Sequence, residues 1–283
     1  MNQILRKRVL TPVTKEIVVA APHIARKAQP GQFVILRVSQ EGERIPLTIA
    51  DFDRDEGTIT LVYQEVGYTT RLLGKLEPHD HILDLAGPLG LPAELPDKGR
   101  VIAVGGGVGV APLLPKCKEL HRRGINLISI IGARSSDLII LEDEMRACSD
   151  ELHICTDDGS RGFKGFVSDK LKQMLETELN PDEIDEVIAI GPIPMMKATC
   201  AAAKEFGVKT WVSMNPIMVD GTGMCGACRV TVGGETKFAC VDGPMFDGHL
   251  VDWDEAWRRA NSYREQEQIA NERCRCGGDR QWL

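Results

Sequence analysis

The chain has 283 residues, room for one large domain or two to three small ones. Its 34 Lys and Arg against 41 Asp and Glu leave a net charge of −7, which argues against a nucleic-acid partner held by phosphate neutralisation. A hydrophobic share of 43% excludes disorder over most of the length, and the longest uncharged stretch, 101–115, is too short and too broken by glycine and proline to span a membrane. The basic N-terminus carries no apolar core with a cleavage site, so no secretory signal is read. The nine cysteines are then expected in the cytoplasm as reduced thiols or metal ligands rather than disulfides.

In chain order, short β-branched runs over 16–20, 32–38, 46–51, 58–65 and 81–86 are punctuated by Gly and Pro, with one helix over 69–76. Short strands at close spacing predict a small antiparallel β-barrel over 1–97. After Pro96-Asp97-Lys98-Gly99, near-continuous apolar strands over 101–104, 127–131, 152–155 and 187–190 alternate with helices over 112–123, 138–148, 165–179 and 194–206. That rhythm predicts a doubly wound parallel α/β domain over 98–213. A Gly- and Cys-rich segment over 214–252 follows, with a hairpin of 229–232 and 236–239 turned at Gly233-Gly234. In a polar helical arm over 253–283, Trp253, Ala256, Trp257, Ala260, Tyr263 and Ala270 fall mostly on one stripe. Aromatic anchors on a polar helix suit a partner surface.

Strand 101–104 runs directly into Gly105, Gly106, Gly107, Gly109, Ala111 and Pro112, and then into a helix. Glycines let backbone approach a pyrophosphate, and the helix N-terminus offers free N–H groups. In this element order the cluster reads as a nucleotide loop rather than a tight turn. Three more loops end later strands: Gly132 to Ser136 with Ala133 and Arg134, Thr156 to Ser160 with Asp157, and Gly191, Pro192 to Met195 and Met196. Together they form a rim where open α/β sheets bind ligands. Arg134 with Ser135 and Ser136 suits a 2′-phosphate, whereas Asp157 and Asp158 repel one; both NAD and NADP remain open on this basis.

The sharpest spacing is Asp220, Cys225, Cys228 and, after eleven residues, Cys240. It is the plant-type [2Fe–2S] pattern with Asp in the first place. Thiolates suit iron–sulfur clusters, and a carboxylate is competent for iron. A zinc site of three Cys with Asp or His uses compatible ligands and stands as the rival reading. Cys117, Cys148, Cys155 and Cys200 are expected as structural thiols, Cys274 and Cys276 as thiols of an exposed tail, and His249 as a surface or hydrogen-bonded residue.

The order of barrel, glycine loop, parallel sheet and cysteine loop resembles the ferredoxin–NADP reductase superfamily over about residues 1–252. Within it, the chain is similar to the electron-transfer subunits of dihydroorotate dehydrogenase B and of NADH-dependent ferredoxin:NADP oxidoreductase, and Asp220 favours the latter. The resemblance implies FAD in the barrel. Arg44 to Thr48 matches the flavin motif, with Pro46, Leu47, Thr48 and Ile49 at the isoalloxazine. Val62, Tyr63 and Gln64, then Gly67, Thr69 and Thr70, match the second and third flavin segments. Thr69 and Thr70 open a predicted helix, where an N-cap and a pyrophosphate site are compatible. Ile190-Gly191-Pro192 stands where the family's nicotinamide site begins with Cys.

The resemblance implies electron transfer among NAD(H), FAD and a [2Fe–2S] cluster, and onward to a larger flavin- or iron–sulfur-containing subunit in a hetero-oligomer, with ferredoxin reached through that subunit. Electron bifurcation belongs to this expectation. The alternatives are the electron-transfer subunit of NAD-dependent dihydroorotate dehydrogenase and a non-catalytic nucleotide- and zinc-binding scaffold. No side chain is assigned a proton-transfer role, because the cofactors carry the chemistry.

Overall fold

The structure is a computed structural model that describes residues 2–40 and 42–275, with side chains through residue 272. Cys276, and the side chain of Cys274, lie outside that description.

The first unit runs β1 (Ile4–Val9), β2 (Thr14–Ala20), α1 (Pro22–Ala25), β3 (Phe33–Arg37), β4 (Ile45–Asp53), β5 (Thr58–Gln64), α2 (Tyr68–Lys75) and β6 (Asp84–Leu89). The six strands pair antiparallel in the order β1-β2-β5-β4-β3-β6. Inward residues at alternate positions, among them Ile17, Val19, Val34, Leu36, Ile49, Leu61 and Tyr63, fill its core together with Leu73 of α2. Pattern reading missed β1. It is an edge strand whose Leu5-Arg6-Lys7-Arg8 run is mostly exposed, so little apolar alternation marks it.

The second unit runs β7 (Arg100–Gly106), α3 (Val110–Arg122), β8 (Asn126–Ala133), α4 (Glu142–Ala147), β9 (Glu151–Thr156), β10 (Phe163–Lys164), α5 (Val167–Thr177), β11 (Glu186–Ile190), α6 (Ile193–Glu205) and β12 (Thr210–Ser213). Neighbours pair parallel in the order β10-β9-β8-β7-β11-β12. Ile102, Val104, Ile128 and Val187 belong to one buried cluster, and Val101, Ala103, Leu127 and Ile188 to another. Both faces of the sheet are therefore covered, which is why these strands read as near-continuous apolar runs. The helix predicted over 138–148 is shorter, because Leu141 sits in the left-handed region at φ 54° and the helix starts after it. The helix predicted over 165–179 begins at Val167. Gly165 has φ 140°, and the Asp169 carboxylate accepts the Phe166 N–H at 3.2 Å.

The cysteine-rich segment contributes β13 (Arg229–Val232), β14 (Glu235–Phe238) and β15 (Met245–Asp247). β13 and β14 form the expected two-residue hairpin, with Gly233 and Gly234 at φ 61° and 80°. β15 returns to pair antiparallel with β12 at the edge of the large sheet. The segment also packs on the barrel. A side chain at Gly221 would run into Leu89 of β6 and Ile35 of β3.

The chain then forms α7 (Trp253–Ala260) and α8 (Arg264–Arg275). The predicted aromatic stripe splits. Trp253 donates its indole N–H to the Gly248 carbonyl at 3.1 Å and Ala256 is buried, whereas Trp257 and Tyr263 stay 50% and 56% exposed. The Asn271 side chain accepts a bond from the Arg71 guanidinium of α2 and donates one to the Val66 carbonyl, both at 3.3 Å. The arm therefore docks on its own chain through Trp253, Ala256 and the polar Asn271, while Trp257, Tyr263 and Ile269 remain exposed. No helix among the described residues is long and apolar enough to cross a membrane.

Candidate functional site: a nucleotide rim, a flavin wall and a cysteine loop

The parallel register places the loops after β7, β8, β9 and β11 on one rim. Asp157 N–H donates to the Ala133 carbonyl and Asp158 N–H to the Arg134 carbonyl, both at 3.1 Å, so two of these loops are tied edge to edge. Ser135 donates to Asp137 and Ser160 accepts from the Ser136 amide, leaving Arg134 as the exposed cation of the pair.

β7 and β11 are neighbours from opposite halves of the fold, which is where a doubly wound sheet opens a crevice. The glycines there have separate physical reasons. A Cβ on Gly109 would strike the Ile190 carbonyl and the Gly191 Cα, so only glycine lets the two turns touch. Gly107 is left-handed at φ 55°, and a Cβ there would point into open space. Met195 lays its sulfur beside both Gly106 and Gly191, forming the floor between them. Ala111 is buried and Pro112 partly buried in the first turn of α3. That helix begins without a side-chain cap and without an acidic residue in its first turn. A cradle bounded by backbone and an uncapped helix N-terminus fits the pyrophosphate of a nicotinamide nucleotide.

In the barrel, strand alternation separates the predicted flavin residues. Leu47, Ile49 and Tyr63 turn into the barrel core, leaving only their backbone for a ligand. Pro46, Thr48, Val62 and Gln64 share the opposite face. The buried Tyr63 hydroxyl has no hydrogen-bond partner among the described residues, and burial pushes its pKa up. At the start of α2, Gly67 donates its N–H to Thr70 Oγ1 at 3.1 Å. Thr69 is buried at 3% exposure. The first turn carries no acidic residue, so its remaining N–H groups suit an anion such as the diphosphate of FAD.

An open cleft of about 620 Å³ runs along β3 and β6. Arg37 and Arg44 line it from the barrel side, and Asp220 enters from the cysteine loop. Arg37 was not singled out by pattern. Its outward position two residues after Ile35 on β3 is the signal that marks it.

In the cysteine loop, Gly221, Gly223 and Gly226 all have positive φ, of 74°, 84° and 65°, and wind the chain so that Cys228 meets Cys240. Their sulfurs lie 3.2 Å apart and both thiols are buried, at 1% and 2% exposure. Burial, and then contact with Cys228, push the Cys240 thiol up to about 12. Cys225 is exposed. The Asp220 carboxylate accepts the Thr222 and Cys225 amides, each at 2.8 Å, and the Thr222 bond leads in holding its pKa down. Among the described residues no three metal-binding side chains converge on one point. The structure therefore brings two of the four predicted donors together and leaves Cys225 and Asp220 on the loop around them. Three thiols and a carboxylate on a glycine-wound loop fit an iron–sulfur cluster by donor type. Cys117, Cys148, Cys155 and Cys200 are buried free thiols, as expected, and His249 is hydrogen-bonded to the Val208 carbonyl at 2.9 Å.

Comparison with known proteins agrees with this layout. Residues 103–201 match the model of the oxidoreductase NAD-binding domain, and 215–252 that of the iron–sulfur cluster binding domain of dihydroorotate dehydrogenase B. The chain is 48% identical, over 96% of its length and 95% of the relative's, to a dihydroorotate dehydrogenase B (NAD(+)) electron transfer subunit homolog of Thermotoga maritima. It is 35% identical to the electron transfer subunit of that enzyme in Geobacillus kaustophilus, over 85% of this chain and 93% of the relative. A solved chain from the NADH-dependent reduced ferredoxin–NADP oxidoreductase superposes with a TM-score of 0.91 at 48% identity, covering 96% of this chain and 97% of that one. The barrel, the rim and the cysteine loop thus make this chain a member of the dihydroorotate dehydrogenase B electron-transfer subunit family, within the ferredoxin–NADP reductase superfamily.

Proposed function

We propose that the chain is the electron-transfer flavoprotein subunit of an electron-bifurcating NADH-dependent reduced ferredoxin:NADP oxidoreductase, working in the cytoplasm with a larger subunit. The observation that carries it is the cleft in which Arg44 of the flavin motif and Asp220 of the cysteine loop line one wall, so that the flavin and cluster segments adjoin. When bound, FAD supplies hydride exchange with the nicotinamide and single-electron exchange with a [2Fe–2S] cluster.

The chain's own residues bind and orient. Gly105, Gly106, Gly107 and Gly109 with the start of α3 receive the nucleotide diphosphate, while Gly191, Pro192 and Met195 bound the nicotinamide end of the crevice. Ala133, Arg134 and Asp157 flank the adenosine end. Pro46, Thr48, Val62 and Gln64 form the flavin wall, and Gly67, Thr69 and Thr70 meet its diphosphate. Asp220, Cys225, Cys228 and Cys240 hold the cluster, and Arg44 offsets negative charge beside it, while Arg37 is paired with Asp84 at 2.6 Å.

The test is the visible spectrum and iron content of the purified protein, followed by NADH titration and identification of the subunit that copurifies. Flavin and [2Fe–2S] absorption that bleaches with NADH, with a ferredoxin-linked larger subunit attached, is expected. A colourless zinc protein overturns the electron-transfer reading. A dihydroorotate-oxidising partner replaces the bifurcating assignment with the second reading, which the match of 215–252 to the dihydroorotate dehydrogenase B domain favours.

A further inference from the structure

We infer that Arg259 on α7 is a positioning residue for the cysteine loop, and that its cation holds the cluster's reduction potential up. The inference rests on reading the loop as a [2Fe–2S] site.

Arg259 donates from Nη2 to the carbonyl of Ala227 at 2.9 Å. Ala227 lies directly before Cys228, inside the Cys225–Cys228 pair. A peptide unit is planar and trans, so fixing the Ala227 carbonyl towards α7 turns the Cys228 N–H to the opposite side. Backbone N–H groups on such a loop are the donors that can face cluster sulfurs, and their direction is what Arg259 sets. The guanidinium Nε is buried and has no hydrogen-bond partner among the described residues, which puts part of the charge out of reach of water, where it is less screened. The neighbouring Arg229 also approaches this loop near Gly226, but it is exposed.

The platform is well fixed. Asp252 caps α7 by accepting the Asp254 and Glu255 amides at 3.1 and 2.9 Å. Lys197 pairs with Asp254 at 2.8 Å, and Trp253 is bonded to Gly248. α7 is therefore a brace against the loop, and the cation arrives from a segment outside the 215–252 cluster domain match.

Reduction adds an electron to the cluster, and a nearby cation favours the more negative state. Arg259→Gln removes the charge, and Arg259→Lys keeps it but cannot present the same planar fork. The experiment measures the cluster's midpoint potential and its rate of stripping by a chelator in the holoprotein as isolated. Arg259→Gln is expected to shift the potential negative and to speed stripping about tenfold, as loss of an outer partner commonly does. Arg259→Lys is expected to keep the potential near wild type while stripping faster. A potential unchanged in Arg259→Gln overturns the charge role, and stripping unchanged in both variants overturns the positioning role. Should Arg259→Gln fail to fold, Arg259→Lys carries the test: faster stripping at an unchanged potential supports the inference, and wild-type stripping overturns it. A wild-type protein that carries no iron removes the cluster reading itself and this inference with it.

Discussion

The glycine loop and the cysteine loop are both built on glycine, yet they use it oppositely. At Gly109 and Gly191 the missing side chains let two turns of one rigid sheet press together, and the cradle is complete in protein atoms alone. At Gly221, Gly223 and Gly226 glycine supplies left-handed backbone, and the loop so wound brings Cys228 to Cys240 while Cys225 stays exposed and Asp220 caps backbone amides. The first site is shaped by packing. The second is shaped by the chain's freedom to bend, and of its four candidate donors only Cys228 and Cys240 meet.

The strongest break of this contrast is Cys228→Ser. It is expected to abolish the cluster's absorption while flavin and NADH binding persist, because the rim is built independently of the loop. Loss of NADH binding as well would show the two sites to be one cooperative unit.

Next come two glycine variants. Gly109→Val is expected to cost about 1–3 kcal/mol of stability, since its side chain has backbone on the facing side, and to lower NADH affinity with it. A Cβ at Gly107 points into open space, so Gly107→Val is expected to block NADH about a hundredfold with FAD retained, its main structural cost being the left-handed φ. Equal NADH affinity in Gly107→Val, read by fluorescence titration, moves the diphosphate elsewhere.

A smaller effect tests the packing of α3, which opens from the glycine loop. Lys116 is fully buried and donates to the Pro112 carbonyl of its own helix at 2.8 Å, and burial pulls its pKa down to about 8. The folded chain disfavours the charged form, so the cost is complete below pH 8 and relieved as pH rises towards the ordinary 10.5. Lys116→Met is expected to stabilise the protein by about 1–3 kcal/mol at pH 7, with the gain fading as pH rises from about 8 to 10.5, as followed by denaturant melts.

The smallest concerns the far end of the same helix. Arg122 first, and Arg123 after it, hold the Glu119 carboxyl down to about 2, while Arg123 also binds the Leu95 carbonyl and Asp97 between the two units. A depressed carboxylate contributes above its ordinary 4.5 and loses that contribution as pH falls towards 2. After solvent screening Glu119→Gln should cost a few tenths of a kcal/mol at pH 7, about one degree in melting temperature, and nothing near pH 2.

Much of this was legible in order along the chain. Near-continuous apolar runs marked β7, β8, β9 and β11, interrupted only by Ser129 in β8 and His153 in β9, and the Gly105–Gly109 run between strand and helix marked the rim. The spacing of Asp220, Cys225, Cys228 and Cys240 pointed to the segment 215–252 that matches an iron–sulfur cluster binding domain, and the structure brings Cys228 and Cys240 of that set together. Tertiary structure decided what depends on a distant partner. The edge strand β1 is too polar to show a period, the short β10, β12 and β15 carry too few residues for one, and all four exist through their neighbours. Tyr63 faces the barrel core rather than a ligand because β5 alternates about Leu61, a phase set by its pairing with β2 and β4. The aromatic stripe of the arm could be read, but not which half of it docks. That choice, and the bond from Arg259 to Ala227 across 32 residues, followed from where α7 came to rest, which no local pattern encodes.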